Sequence, residues 1–283
     1  MRAFVKWLLV IRPQTLFASL CPVAAGLLIA AKEGTFDGTI AAITVLSALS
    51  LQVFSNLVND YYDFKRGADK KGRQGNARAL AEGTVRVRQI VVAILISLAL
   101  ALASGAFLIC KGGLPIVVIG VSAVAFAYLY TATSHSLAYL GIADLFVFVY
   151  FGLLAVGGTV YLQTGSFSAR SLLTGAACGS ISTCVLIINN IRDMAEDKAV
   201  NKRTFAVRFG KRAAYAEMLF FELLAVVCTL CCHGVAWNAL VALPLAALFV
   251  MTLKAEGSRY NLCLLFAGVC NLLLVALIAI TLF

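Results

Sequence analysis

The chain of 283 residues is 62% hydrophobic and 13% charged, with a net charge of +10 and a mean hydropathy of +0.96. Soluble domains run about 45–50% apolar and about 25% charged, so a soluble globular protein is excluded. An outer-membrane barrel is excluded too, because its strands alternate apolar and polar residues, whereas 90–109 are apolar at nearly every position.

A spanning helix needs ~20 mainly apolar residues, which leaves room for roughly eight to ten spans. Apolar blocks between Gly, Pro and charged punctuation predict nine helices, at 14–31, 39–62, 88–110, 114–131, 138–162, 170–191, 213–232, 236–253 and 260–282. The predicted fold is an all-α membrane bundle forming a single domain over 1–283. The first block follows Arg12-Pro13 and runs through Pro22 to Gly26 without a cleavage signal, so it reads as a span and not as a leader. The small residues of 152–158 and 175–182 predict that the fifth and sixth helices approach closely. Of the nine cysteines, Cys21, Cys178, Cys184, Cys228, Cys263 and Cys270 fall inside apolar blocks, where a thiol acts as a small hydrophobe. Cys231-Cys232-His233 closes an apolar block and has no partner motif for a metal.

Nine spans put the termini on opposite faces. With the N-terminus inside, 20 of the 23 Lys and Arg lie on the inner face, and Lys32, Lys111 and Arg170 lie outside. The positive-inside rule therefore predicts a cytoplasmic N-terminus. The positive charge reads as orientation and as attraction for anionic head groups or an anionic substrate, with no role for nucleic acid.

The two longest inner segments follow helices 2 and 6 and hold seven of the thirteen acids: Asp60, Asp63, Asp69, Glu82, Asp193, Glu196 and Asp197. An even number of spans separates the two segments, so both open on the same face. The first reads Asn56-Leu57-Val58-Asn59-Asp60-Tyr61-Tyr62-Asp63, with Gly67 and Asp69 beyond it; on a continuing helix Asn59 and Asp63 share one face. The second reads Asn189-Asn190-Ile191-Arg192-Asp193-Met194-Ala195-Glu196-Asp197, a ladder of Asn189, Asp193 and Asp197. Asp60 points about 100° away from Asn59 and stands behind it. Stacked carboxylates repel and are costly at membrane depth, so a cation should hold them, and hard oxygen ligands point to Mg²⁺. Lys65, Arg66, Lys70, Lys71 and Arg73 beside the first cluster, with Arg192, Lys198, Lys202, Arg203 and Arg208 beside the second, suit a diphosphate.

Together with Arg12-Pro13-Gln14-Thr15-Leu16, Ala127-Tyr128-Leu129-Tyr130-Thr131, Gly141-Ile142-Ala143-Asp144, Phe151-Gly152, Tyr161-Leu162-Gln163 and Lys202-Arg203-Thr204, these motifs span nearly the whole chain. In this order they resemble the UbiA superfamily of intramembrane aromatic prenyltransferases, and within it the branch that acts on 1,4-dihydroxy-2-naphthoate in menaquinone synthesis. Gly67 in place of a third stacked acid, with Asp69 two residues on, is the habit of that branch. The turn at 132–136 departs from it, carrying His135 and no Lys.

The resemblance implies a polyprenyl diphosphate and 1,4-dihydroxy-2-naphthoate as substrates and loss of CO₂ on transfer. It places the protein in the bacterial cytoplasmic membrane, embedded in the lipid bilayer, with the active site facing the cytoplasm. It implies that Asn59, Asp63, Asp69, Asp193 and Asp197 hold Mg²⁺, that Asp63 and Asp193 are catalytic, and that Asp144 orients substrate or acts as a base. Lys65, Arg66, Arg73, Arg192, Lys202 and Arg203 would bind the diphosphate, and Tyr128, Tyr130, Phe146, Phe148, Tyr150 and Phe151 would shield an allylic cation. Another aromatic acceptor, 4-hydroxybenzoate or homogentisate, is the alternative within the superfamily. A secondary transporter is the alternative from another class, although its acids would sit near the midplane instead of at one face.

Overall fold

The computed structural model describes residues 7, 10–67, 79–129, 141–233 and 235–283, and among these every regular element is helical. In chain order they are α1 (Pro13–Lys32), α2 (Gly38–Lys65), α3 (Val87–Leu129), α4 (Ala143–Phe148), α5 (Leu154–Thr164), α6 (Ala169–Arg192), α7 (Met194–Ala199), α8 (Phe205–His233), α9 (Val235–Lys254) and α10 (Tyr260–Leu282). Seven helical segments are long and apolar enough to cross a membrane, counting α4 and α5 as one, and 240–254 adds a shorter apolar stretch within α9.

A straight helix of 43 residues would be about 65 Å long, twice the hydrocarbon core, so α3 cannot be one rod. It breaks at Gly113, whose φ of 62° and ψ of −148° are open to glycine, with Pro115 just beyond. The two legs run antiparallel: Ile90 near the start shares a buried cluster with Leu57 of α2, and Tyr128 at the end bonds Tyr62 of the same helix. Counting the legs separately, the described residues supply nine apolar helices, in agreement with the pattern of the sequence.

Two differences are physical. α8 starts at Phe205, eight residues before its predicted start, because its first turn carries charge outside the apolar block and bends at Gly210 (φ 84°) before the span proper. Between α4 and α5 a π-helical turn at Val149–Leu153 widens the backbone by one residue per turn. It brings Gly152 against α6: a Cβ there would stand 2.4 Å from the Gly175 carbonyl oxygen and 2.5 Å from Gly179 Cα. The close approach predicted from small residues is present, and it is backbone against backbone.

α6 is the axis of the bundle, with Ile181, Cys184, Ile187 and Ile188 at 0–1% exposure. α8 packs along it on one side, the π turn and α4 on another, and α10 on a third. Its N-terminus is closed by a capping box in which Ser168 and Ser171 satisfy each other's amides at 3.1 Å. Its other end delivers Asn189 and Arg192 to the same end of the bundle as Asn59 and Asp63 of α2.

Candidate active site

α2 continues unbroken past Asn59 to Lys65, so Asn59 and Asp63 stack one turn apart. Asn59 Oδ1 and Asp63 Oδ1 are both buried and neither has a hydrogen-bond partner. Leaving such a group unsatisfied costs about 1–3 kcal/mol, more when it is charged. Two orphaned oxygens one turn apart are the donor set a hard divalent cation takes, so the residues fit Mg²⁺. Behind them Asp60, 2% exposed, is paired with Arg12. Asn56 donates to the Ile11 carbonyl at 3.0 Å and to Thr15 Oγ1 at 2.9 Å, tying the start of α1 to the first cluster. Arg12 sits in the left-handed region (φ 55°), uncommon for a non-glycine residue and frequent where function fixes a side chain.

The second cluster bends where the sequence predicts a straight ladder. α6 ends at Arg192, and Asp193, at φ −91° and ψ 7°, turns the chain into α7. The four-residue spacing survives, because the Asp193 amide bonds the Asn189 carbonyl at 2.9 Å and the Asp197 amide bonds the Asp193 carbonyl at 2.8 Å. Arg192 grips Asp193 with two hydrogen bonds, Nε to Oδ1 at 2.6 Å and Nη2 to Oδ2 at 2.8 Å. Lys202 Nζ lies 3.4 Å from Asp197.

The clusters face each other. Burial pushes the Asp197 carboxyl up to about 6; Lys202 pulls it back, and the charges of Asp193 and Asp63 add to the rise. Among the described residues no three Asp, Glu, His or Cys side chains already form a metal cage. Mg²⁺ does not require one, since it is usually bound by one or two carboxylates together with substrate phosphate and water.

Beside the clusters opens a chamber of about 370 Å³, whose lining includes none of Asp60, Asp63, Asp193 and Asp197. Arg12, Asn56, Asn59 and Asn189 line its polar end. Phe126, Phe146, Tyr150 and Phe151 line its waist, and it runs on to Leu108, Ile116 and Leu162 near the break of α3. By helix rise, the stretch from Asn59 to Thr44 spans about 22 Å of membrane depth. One polar end and a long apolar remainder match an amphiphile with an anionic head.

The other predicted residues fall as follows. Lys65 is exposed at the end of α2, and Arg66 sets its guanidinium 6.0 Å from the Tyr62 ring centre. Arg203 is exposed, its Nε donating to Asn201 at 3.4 Å. Asp144 is 4% exposed and accepts from Asn190 at 3.5 Å, outside the chamber lining. Tyr128 hydrogen-bonds Tyr62 at 2.9 Å and is also off the lining, whereas Phe151 is on it. Asp69, Lys70, Lys71, Arg73, Tyr130 and His135 lie outside the described residues. Sequence reasoning missed Arg12 and Phe126 as chamber residues. Arg12 stood in a quoted motif, and its position just ahead of the first apolar block was the available signal; Phe126 carried none.

Residues 19–261 match the UbiA prenyltransferase family. The chain is 31% identical over 258 residues to the 1,4-dihydroxy-2-naphthoate octaprenyltransferase of Haemophilus influenzae, covering 85% of this chain and 83% of that protein. To the enzyme of the same description in Escherichia coli it is 33% identical over 251 residues, 84% of this chain and 82% of that one. Its fold is that of a UbiA homolog from Archaeoglobus fulgidus solved with DMAPP and Mg²⁺, at a TM-score of 0.68, 18% identity, and coverage of 98% and 99% of the two chains.

Proposed function

The chain belongs to the UbiA prenyltransferase family and is a multi-pass membrane prenyltransferase, and from that premise we propose that it transfers a polyprenyl group from polyprenyl diphosphate to 1,4-dihydroxy-2-naphthoate with loss of CO₂. The product would be demethylmenaquinol, in menaquinone synthesis. The observation that carries this reading is the chamber itself: Arg12 and three asparagines of the two motifs at one end, with the unpartnered Asn59 and Asp63 oxygens there, then aromatic walls, then a long apolar extension. The acceptor is supported by relatives at 31% and 33% identity that are described as naphthoate octaprenyltransferases.

In this reading Asn59, Asp63 and Asp69 of the first motif, with Asp193 and Asp197 of the second, would hold Mg²⁺. The metal supplies charge to offset that growing on the departing diphosphate. Binding of DMAPP and Mg²⁺ by the A. fulgidus homolog supports metal use in this fold. Lys65, Arg66, Arg73, Lys202 and Arg203 would gather the diphosphate oxygens, whereas Arg192, expected among them, is taken up by Asp193 and Asn261. Asp60 keeps Arg12 directed at the chamber, where the guanidinium meets anionic substrate. When the bond between the allylic carbon and oxygen breaks, the electron pair leaves with diphosphate. Phe126, Phe146, Tyr150 and Phe151, which line the chamber, would shield the cation and exclude water from it. The carboxylate-bearing ring carbon attacks, and CO₂ departs, leaving its electron pair to restore aromaticity.

The bundle acts as one domain in the bacterial cytoplasmic membrane, its N-terminus and chamber mouth on the cytoplasmic face, an orientation supported by the 20 of 23 basic residues on that side. Mass analysis tests the reading: membranes containing the protein receive polyprenyl diphosphate, Mg²⁺, and both 1,4-dihydroxy-2-naphthoate and 4-hydroxybenzoate. Prenylated naphthoquinol lacking a carboxylate is the expected product. Prenyl-4-hydroxybenzoate as the product would overturn the choice of acceptor.

A further inference from the structure

Asn261, at the start of the last helix, belongs to no motif, yet its side chain reaches the second acidic cluster from 69 positions away in sequence. Its Oδ1 accepts from Arg192 Nη1 at 2.9 Å, while the remaining face of the same guanidinium holds both oxygens of Asp193 at 2.6 and 2.8 Å. The guanidinium only donates, so the atom of Asn261 that faces it must be the oxygen. The Arg192 side chain is 5% exposed. In such surroundings three hydrogen bonds on one planar cation leave it a single orientation.

The preceding residue grips the other end of the same loop. Lys211 Nζ lies 5.4 Å from the ring centre of Tyr260 and 5.6 Å from that of Tyr215. Asp193, Asp197, Lys202 and Arg203 all lie between Arg192 and Lys211, so one short piece of α10 touches the loop at both of its ends.

We propose that Asn261 is a positioning residue for the second acidic cluster, acting through Arg192 to set the direction of the Asp193 carboxylate. The Arg192 fork takes one acceptor site on each Asp193 oxygen, so the direction of the guanidinium sets the plane of the carboxylate and its lone pairs. Partners that orient a metal ligand typically govern affinity by 10–100-fold. Loss of Asn261 lets the fork swing and the lone pairs with it. The inference rests on the metal role proposed above.

The test uses the full chain in lipid nanodiscs and Mn²⁺ as the probe, with free Mn²⁺ followed by electron paramagnetic resonance without prenyl substrate. Asn261→Ala should weaken Mn²⁺ binding about tenfold. It should raise the metal concentration for half-maximal activity by the same factor, with kcat at saturating metal within about twofold of wild type. Asn261→Asp retains an acceptor for Arg192 and should bind Mn²⁺ like wild type. Asn261→Leu, close in volume and without an acceptor, should behave like the alanine variant and stands in for it if alanine misfolds. Unchanged Mn²⁺ binding in Asn261→Ala or Asn261→Leu, beside a wild type that does bind, overturns this proposal alone. A wild type that binds no Mn²⁺, either alone or with inorganic diphosphate added and a protein-free control subtracted, overturns the metal role and this proposal with it.

Discussion

Asp63 and Asp197 are 134 positions apart in the chain, one at the end of α2 and the other on the short helix after α6, yet they lie close enough that the charge of the first adds to the burial and the Asp193 charge that raise the proton affinity of the second. Nothing local draws them together. The bundle does so by ending α2 and α6 at one face and letting α7 fold back over it.

If both acids serve one metal-bound diphosphate, neither cluster suffices alone. Asp63→Ala, Asp193→Ala and Asp197→Ala should each reduce prenyl transfer about a hundredfold or more while the protein still assembles in the membrane. Activity and detergent-solubilised thermal melts, measured on the same preparations, check this. Robust activity in Asp193→Ala, or in excess chelator, would contradict the shared site.

Proton and metal should compete at Asp197. Burial raises its pKa to about 6 despite Lys202, so the carboxyl is anionic and ligating above that pH and neutral below it. The Mg²⁺ concentration for half-maximal activity is expected to rise as pH falls through about 6, by up to about tenfold per unit for one proton. In Asp197→Asn, which cannot titrate, that slope should vanish from whatever activity remains.

Packing at the π turn predicts a stability difference between two glycines. At Gly152 any side chain would strike the backbone of α6, so Gly152→Val should lower the thermal midpoint, at a cost of about 1–3 kcal/mol or more. A Cβ at Gly105 meets nothing within 4 Å, and Gly105→Ala in a helix should be stabilising by roughly 0.5–1 kcal/mol. Melts of both variants in one detergent decide it.

Orientation can be read with single cysteines and a membrane-impermeant maleimide, in a background from which the exposed native cysteines have been removed. Cysteine at Lys70 or Lys202 should label only from the cytoplasmic side, and cysteine at Lys32 or Arg170 only from the other. Labelling at Lys70 and Lys202 from opposite sides would separate the two clusters and end the argument for one chamber mouth.

Much of the architecture was legible because lipid removes alternatives. Every spanning backbone must satisfy itself, so apolar blocks of sufficient length became helices, and charge marked their ends. Asn59 and Asp63 were legible for the same reason: spacing on a helix fixes which side chains share a face. The bend at Asp193 was not, since four-residue spacing alone does not reveal that hydrogen bonding passes through a kink. The π turn at 149–153 was hidden as well, because its residues read as ordinary helix and the reason for it, Gly152 against Gly175, is tertiary. Arg12 and Asn261 show the limit most plainly. Each acts across the fold, one on Asp60 and the other on Arg192, and pairings over 48 and 69 positions leave no periodic trace.

The fate of one carbon tests the proposed reaction most directly. The protein in nanodiscs is given 1,4-dihydroxy-2-naphthoate labelled in its carboxyl group, a polyprenyl diphosphate and Mg²⁺. Labelled CO₂ should be released in step with diphosphate, one for one, and the prenylated product should carry no label. A prenylated product that keeps the label, or naphthoate that stays unprenylated while another aromatic acid is consumed, would contradict it.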